Sequence, residues 1–370
     1  MALPRWDVFC RVVDNYGDIG VCWRLARQLA AEYGIAVTLW VDDLASFAHI
    51  CSGIDAAQAV QQLGQVTVRH WLPDVQVDDV GEVVIEAFAC ELPASAITAM
   101  RVRPVAPVWL NLEYLSAEDW VEGCHQLASP QPGGLKKYFF FPGFTAKTGG
   151  VLGEQAMRRA RAAWSGQNAD AWLAGLGAAP VAGSLRVSLF AYENAAAASL
   201  LDAWAAGPQP VHCYLPVGRL LPQVADWAGM PLQARAAMTR GVLTVQVLPM
   251  LEQDGYDRLL WSCDLNFVRG EDSFVRAQWA GKPFVWHIYR QEEDAHLLKL
   301  DAFLARYAGG SACDALMQTW NHEQDMQPRW QAASAALPAW QRHARDWAAG
   351  LESHGDLAGN LVRFVKTLLK

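Results

Sequence analysis

Short apolar runs alternate with segments of helical periodicity along the first half of the chain. The runs predict strands, and the periodic segments between them predict helices. The predicted strands lie at 6–13, 35–41, 65–72, 83–88 and 105–112, and the predicted helices at 20–33, 44–51 and 94–100. Gly34 suits the end of the first helix because glycine readily adopts the left-handed conformation found there. This β-α-β order predicts a parallel sheet with helices on both faces.

A second α/β unit is predicted after a glycine-rich linker at 177–183. Its predicted strands lie at 185–190, 211–215, 243–248, 265–268 and 283–288, with helices ending at 206, 263 and 280. We therefore expect two domains, at 1–180 and 181–349. The periodic segment 357–369 is expected to pack back on the first domain, so that a helix at about 350–370 completes it. Such paired α/β halves hold ligands in a cleft at the carboxyl ends of their strands.

Two segments between the halves depart from this alternation. The stretch KKYFFFPGFTAKTGG at 136–150 is aromatic and then glycine-rich. It fits a loop that crosses an active-site cleft, or a loop that packs its aromatic rings into the core. The alanine-rich stretch at 154–176 has the pattern of a helix.

Composition narrows the class of protein. The chain has 370 residues, of which 52% are hydrophobic and 18% charged, as expected for a folded globular protein. Its net charge of −8 and lack of a basic run disfavour nucleic-acid binding. No apolar run is long enough to span a membrane and the N-terminus lacks the pattern of a signal peptide, so we expect a cytoplasmic protein without a membrane partner. The eight cysteines form no CxxC pair and the nine histidines no HExxH motif, which predicts reduced thiols and no metal site.

The loop Asp14-Asn15-Tyr16-Gly17-Asp18-Ile19-Gly20 connects the first predicted strand to the first predicted helix. Loops in this position usually bind phosphate, because helix N-terminal N–H groups favour anions. Here Asp14 and Asp18 would repel a diphosphate, whereas they suit a cationic ligand or the role of a general base. The alternative is that both aspartates only form the turn and cap the helix.

The sequence Arg269-Gly270-Glu271-Asp272-Ser273 occupies the equivalent position in the second half. Ser273 can act as N-cap of the following helix, whose N-terminus would bind an anion, and Arg269 adds a cation. Glu271 and Asp272 fit a site where acids bind sugar hydroxyls while backbone N–H groups hold a diphosphate. The alternative is a capped helix with acids in its first turn.

Two further residues are weaker candidates for a nucleotide site. Tyr192 follows a predicted strand and can stack on a nucleobase, although a single tyrosine can equally be part of the packing. Gln253 can hydrogen-bond the edge of a base.

The runs DNYGDIGVCWRLARQLA at 14–30 and CDLNFVRGEDSFVRAQWAGKPFVWHIY at 263–289 resemble the protein-arginine rhamnosyltransferases that modify elongation factor P. The segments NLEYLSAEDW at 111–120 and YFFFPGF at 138–144 fit the same family, so the resemblance extends over nearly the whole chain. It implies an α/β fold of GT-B type, with an N-terminal acceptor domain and a C-terminal nucleotide-sugar-binding domain. It also implies an inverting transfer of rhamnose from dTDP-β-L-rhamnose to one arginine of elongation factor P, which activates that factor to rescue ribosomes stalled at polyproline.

The resemblance also implies the roles of individual residues. The reaction it implies needs no metal or other cofactor. Met250 and Leu251 stand where an aromatic residue near the thymine is expected. The catalytic residues would be Asp14, Asp18 and Glu271, and the substrate-binding residues Asn15, Tyr16, Gly17, Tyr192, Gln253, Arg269, Gly270, Asp272 and Ser273.

We interpret Asp18 as the base and Asp14 as a clamp for the guanidinium group, although the two roles are interchangeable at this level. Two alternative functions use the same fold: a GT-B enzyme with another donor, such as a UDP-sugar, and a small-molecule acceptor, or a nucleotide-sugar-binding protein without activity. The acidic loop disfavours the second, because a protein that only binds needs no base. A dinucleotide oxidoreductase is disfavoured because no GxGxxG follows a predicted strand.

Overall fold

A computed structural model describes residues 4–14 and 16–369 of the chain. The chain divides into two compact units, Met1–Met157 with Leu351–Lys370 and Arg158–Gly350. The segment 158–180, assigned to the first domain from sequence, belongs to the second unit. There the Trp164 ring packs on Trp261 at 5.6 Å between ring centroids, and its indole N–H donates to the Ser262 hydroxyl at 3.2 Å.

Strands and helices alternate through both units. The strands are β1 (Arg5–Cys10), β2 (Ala36–Val41), β3 (Val60–Leu63), β4 (Val66–His70), β5 (Val83–Ala87), β6 (Val108–Leu112), β7 (Ala128–Pro130), β8 (Lys136–Phe140), β9 (Leu185–Leu189), β10 (Val211–Pro216), β11 (Ala237–Arg240), β12 (Leu243–Leu248), β13 (Leu265–Arg269) and β14 (Phe284–His287). The helices are α1 (Gly17–Tyr33), α2 (Leu44–Ile50), α3 (Ala94–Val102), α4 (Val121–Cys124), α5 (Gln155–Ala162), α6 (Gly166–Gly175), α7 (Ala197–Ala205), α8 (Leu221–Ala228), α9 (Gln253–Ser262), α10 (Asp272–Ala280), α11 (Ala295–Tyr307), α12 (Ser311–Asn321), α13 (Gln327–Leu351) and α14 (Leu357–Leu368).

The first unit is built on one eight-stranded sheet with the order β3-β4-β2-β1-β5-β6-β8-β7. The six central strands are parallel, whereas the edge strands β3 and β7 are antiparallel to their neighbours. Strand order reverses between β1 and β5. That reversal is the topological switch point at which open α/β sheets bind ligands.

The second unit repeats this plan in a six-stranded sheet with the order β11-β12-β10-β9-β13-β14. Five of its strands, β12, β10, β9, β13 and β14, are parallel, and the edge strand β11 is antiparallel to its neighbour. The switch point lies between β9 and β13. The prediction of a parallel sheet in each unit is thus confirmed. The antiparallel edge strands were not predicted.

Some predicted elements differ in type or in bounds from those of the structure. The segment 136–150 begins with a parallel strand, β8, and its Phe140, Phe141 and Phe144 are buried, so the aromatic residues pack into the core. The single helix predicted at 154–176 is two helices, because Ser165 forms a capping box that starts α6. The first predicted strand ends at Cys10 instead of 13.

The end of the chain returns to the first unit. The Asn360 side chain donates to the Gly149 carbonyl at 3.0 Å, and the Gln28 amide donates to the Asp356 carboxylate at 2.9 Å. None of the eight cysteines, all within the described ranges, forms a disulfide. In residues 4–14 and 16–369, no helix combines the length and the apolar character needed to cross a bilayer.

Candidate active site

The first candidate site is the turn between β1 and α1, at the carboxyl end of a central strand of the first sheet. Asp18 lies here and is 2% exposed. Its Oδ2 accepts the N–H groups of Val13 at 2.8 Å and Asp14 at 2.9 Å, and its Oδ1 accepts the Tyr114 hydroxyl at 3.0 Å. Three donors therefore hold one buried carboxylate in a defined orientation, as a general base requires.

Asp18 does not cap the helix, which was the alternative considered from sequence. The N-cap residue of α1 is Tyr16, whose own side chain makes no capping hydrogen bond. Because α1 begins at Gly17, three residues earlier than predicted, Asp18 is in the first helical turn. Its carboxylate reaches back to the loop that precedes the helix.

The structure brings Asp14 and Asp18 into the same turn. Asp14 is half-buried, and its carbonyl accepts the Gly17 N–H at 2.6 Å. A Cβ at Gly17 would lie 2.9 Å from Asp14 Oδ2, so a side chain at this position would displace the Asp14 carboxylate. Tyr16 is the next residue before it, and the predicted site residue Asn15 lies outside the described residues.

Two aromatic residues that were not predicted adjoin this turn. The Phe88 ring stacks on the Tyr114 ring, with 4.3 Å between centroids and 14° between planes. Phe88 follows β5 and Tyr114 follows β6, so both are at the carboxyl ends of parallel strands. Tyr114 lies within the segment NLEYLSAEDW, which carried part of the family resemblance but no assigned role.

The second candidate site is the turn between β13 and α10, at the switch point of the second sheet. Gly270 has φ +60°, a conformation that favours glycine, and its N–H donates to the His287 carbonyl at 3.2 Å. Its own carbonyl accepts the Trp286 indole N–H at 2.8 Å. The turn is thereby fixed to the neighbouring strand β14.

The prediction that Ser273 is the N-cap of this helix is wrong. Glu271 is the N-cap residue of α10 and makes no side-chain capping bond, and Ser273 is the second residue of the helix. Its hydroxyl accepts the Arg269 N–H at 3.0 Å and donates to the Arg269 carbonyl. Ser273 therefore closes the strand-to-helix turn, and its side chain faces back to the end of β13.

Arg269 supplies a positive charge at this turn. Its guanidinium carbon lies 4.6 Å from the centroid of the Phe190 ring and 4.8 Å from that of Tyr192, within the range of cation–π attraction. The residue is buried. Both rings follow β9, the strand on the other side of the switch point.

Tyr192 and His287 form an aromatic contact beside the Arg269 side chain, with 5.2 Å between ring centroids. Burial lowers the pKa of His287 to about 3, and the nearby charges of Arg269 and Arg290 act in the same direction. His287 is therefore neutral at physiological pH. His287 was not among the residues predicted from sequence. Its Nδ1 has no hydrogen-bond partner in the described part of the chain.

The remaining predicted residues of this unit also lie near the turn. The Gln253 side-chain amide donates to the Asp272 carboxylate at 3.4 Å, which joins the start of α9 to the start of α10. Gln253 is buried, whereas Glu271 and Asp272 are half-buried. Within residues 4–14 and 16–369, no group of three or more His, Cys, Asp or Glu side chains could hold a metal ion.

The matches to known proteins include a family model, a relative and a solved structure, each of which spans nearly the full length of the chain. The family model described as elongation factor P rhamnosyltransferase EarP matches residues 6–366. A protein-arginine rhamnosyltransferase of Pseudomonas putida is 55% identical, over 98% of this chain and 99% of that protein. A solved structure concerned with EarP-mediated arginine glycosylation of translation elongation factor EF-P is 42% identical, covers 98% of this chain and 99% of its own, and superimposes with a TM-score of 0.71.

A more distant likeness concerns the fold alone. The structure of a glycosyltransferase from Rickettsia africae is 10% identical, covers the whole of both chains and has a TM-score of 0.57. Together with the two Rossmann-like sheets, this likeness confirms the predicted GT-B fold class.

Proposed function

Because the chain belongs to the family of elongation factor P rhamnosyltransferases, we propose that it transfers rhamnose from dTDP-β-L-rhamnose to an arginine side chain of elongation factor P with inversion at the anomeric carbon. The observation that supports this proposal is the pair of charged side chains at the switch points of the two sheets. One switch point holds the oriented carboxylate of Asp18, and the other holds the buried cation Arg269 beside a helix N-terminus. An acceptor guanidinium and a diphosphate donor are the ligands that fit these charges.

In the proposed reaction, Asp18 and Asp14 act on the acceptor. A guanidinium group has a pKa above about 12 and is a poor nucleophile until it loses a proton. One aspartate takes that proton while an arginine nitrogen forms a bond to the anomeric carbon, and the other aspartate holds the group by its remaining N–H donors. The bond from the anomeric carbon to the diphosphate oxygen breaks in the same displacement. We assign the base to Asp18, whose orientation three donors define, and the clamp to Asp14.

The donor would be held in the second unit. The first N–H groups of α10 and the guanidinium of Arg269 would neutralise the charge that develops on the leaving diphosphate, so we propose a transfer that needs no metal ion or other cofactor. Glu271 and Asp272 would bind rhamnose hydroxyls, and Tyr192 and Gln253 would contact the nucleoside. This arrangement is supported by the clustering of all five side chains around one turn.

Two consequences follow for the cell. The transfer would activate elongation factor P for the rescue of ribosomes stalled at polyproline. Since the proposed acceptor is a translation factor, we propose that the protein acts in the cytoplasm.

Intact-mass spectrometry tests the whole proposal. Purified elongation factor P is incubated with this protein and dTDP-β-L-rhamnose, and a mass gain of one deoxyhexose on one arginine is expected. A parallel incubation with UDP-sugars serves as the control, because the alternative glycosyltransferase would use another donor, such as a UDP-sugar, and a small-molecule acceptor. No gain with dTDP-rhamnose, despite binding of that nucleotide by calorimetry, would reject elongation factor P as the acceptor.

The substitution Asp18→Asn tests the base. Asn keeps the size of the side chain but cannot accept a proton, so we expect transfer to fall by at least about a hundredfold, with donor affinity unchanged. Asp14→Asn is the matched variant and should raise the KM for the acceptor more strongly. Turnover retained by Asp18→Asn and lost by Asp14→Asn would exchange the two roles.

A further inference from the structure

The carboxylate of Asp18 has a third donor that no assigned role explains. Two of its donors are backbone N–H groups of its own turn, but the third is the hydroxyl of Tyr114, which follows β6. The backbone bonds occupy Oδ2 only. Oδ1 is therefore oriented by a side chain from a different part of the sheet.

A backbone hydrogen bond and a ring contact hold Tyr114 in place. The N–H of the preceding residue, Glu113, donates to the Phe140 carbonyl at 3.0 Å, which anchors the chain beside β8. The Phe88 ring stacks on the tyrosine ring at 4.3 Å. The ring therefore has a defined position, although Tyr114 as a whole remains 36% exposed.

The turn that carries Phe88 has an unusual backbone. Phe88, Ala89 and Glu91 all have positive φ, at 56°, 52° and 56°, a conformation that is unfavourable for residues other than glycine. Hydrogen bonds offset this cost: the Phe88 N–H donates to the Leu112 carbonyl at 2.7 Å and the Ala89 N–H to the Asn111 side chain at 3.1 Å. Backbone strain of this kind concentrates at functional sites.

The position of the turn agrees with that interpretation. It follows β5, the strand that adjoins β1 across the switch point of the first sheet. The strained backbone places the Phe88 ring against Tyr114, which in turn contacts the proposed base.

We propose that Tyr114, supported by Phe88, is a positioning residue that orients Oδ1 of Asp18 for the acceptor arginine. Its neutral hydroxyl donates a hydrogen bond to the carboxylate and takes no part in the proton transfer. This proposal rests on the proposed function, because it assumes that Asp18 acts on the acceptor. It predicts a residue that affects the rate of transfer without touching the donor.

The test is the kinetics of Tyr114→Phe, which removes the hydroxyl and keeps the ring. We expect kcat to fall roughly tenfold, as for the loss of one hydrogen bond to a charged group. The KM for dTDP-rhamnose and the melting temperature should stay at the wild-type values. The matched control is Tyr138→Phe, which makes the same change at a tyrosine of the same unit whose ring packs against Phe364, at 5.6 Å between centroids.

A second variant separates orientation from simple stability. Phe88→Leu keeps an apolar side chain on the strained turn but loses the stacked ring, so kcat should fall in the same direction and by less than in Tyr114→Phe. Wild-type kcat in Tyr114→Phe, or a loss of donor binding equal to the loss of rate, would overturn the proposal. If the wild-type protein itself transfers no rhamnose, the proposed function fails, and the role of Tyr114 fails with it.

Discussion

The substitution Ser273→Ala removes a single hydroxyl that closes the turn between β13 and α10. Ser273 is 6% exposed, and its oxygen both accepts the Arg269 N–H at 3.0 Å and donates to the Arg269 carbonyl. Alanine leaves two buried backbone groups without these partners. A hydrogen bond contributes about 0.5–1.5 kcal/mol of net stability, so the loss of these two should lower the free energy of unfolding by about 2 kcal/mol.

The same substitution should affect the proposed donor site. Without the hydroxyl, the backbone of Arg269 is less firmly held to the first turn of α10, where the diphosphate is expected to bind. We expect the affinity for dTDP-rhamnose to fall about fivefold, equivalent to about 1 kcal/mol. Urea unfolding followed by tryptophan fluorescence measures the first effect, and isothermal calorimetry measures the second.

Ser188→Ala is a matched control in the same unit. Ser188 is fully buried, and its hydroxyl donates to the Asn266 side chain at 2.7 Å, inside the sheet. This variant should lose similar stability and keep wild-type donor affinity. If Ser273→Ala costs less than about 0.5 kcal/mol, the two hydrogen bonds of the Ser273 hydroxyl do not stabilise the turn. If both variants weaken donor binding equally, the effect is general loosening and the assignment of the anion site is refuted.

Two further predictions concern the stability of the fold. Burial lowers the pKa of His212 to about 4, and its Nδ1 accepts the Val181 N–H at 3.2 Å. In the unfolded chain the His212 imidazole binds a proton with a pKa of about 6.5, before the folded protein does. The contribution of this residue to the free energy of unfolding is therefore present above about pH 6.5 and is lost as the pH falls towards about 4. Between pH 7 and 5 the wild type should lose about 2 kcal/mol more than His212→Gln in urea titrations, and parallel losses would refute this. A Cβ at Gly81 would lie 1.9 Å from the Arg5 carbonyl oxygen, whereas one at Gly175 meets nothing within 4 Å. Gly81→Ala should therefore cost about 3 kcal/mol or more while Gly175→Ala leaves the melting temperature nearly unchanged, and similar melting temperatures would contradict the steric argument.

Both candidate loops could be located from sequence because the necessary signals are local. An apolar run followed by glycine and a helical pattern indicates a strand-to-helix turn, and the structure has such turns after β1 and β13. Asp18 and Arg269 were recognised as chemically unusual from their neighbours in sequence alone. Their roles in the reaction remain predictions.

Other features of the sites depend on neighbours that no local signal identifies. Phe88 and Tyr114 are distant in sequence from Asp18, and they adjoin it only because β5 and β6 follow β1 in the sheet. The prediction for the Ser273 side chain was also wrong, because an error of two residues in the helix start changes a capping residue into one that bonds the preceding strand. Helix boundaries are set by competing hydrogen bonds of similar energy, which a pattern does not rank.

The amino-acid sequence is enough to predict the alternation of strands and helices, the two Rossmann-like halves and, through its long motifs, the family. These features follow from local periodicity and from residue identity. The order of strands in each sheet is seen only in the folded chain, and this order sets which loops meet at a switch point. Periodicity reports that a strand is buried but not which strand lies beside it, because that choice depends on long-range packing of the whole sheet. The contact between Tyr114 and Asp18 is a product of that choice.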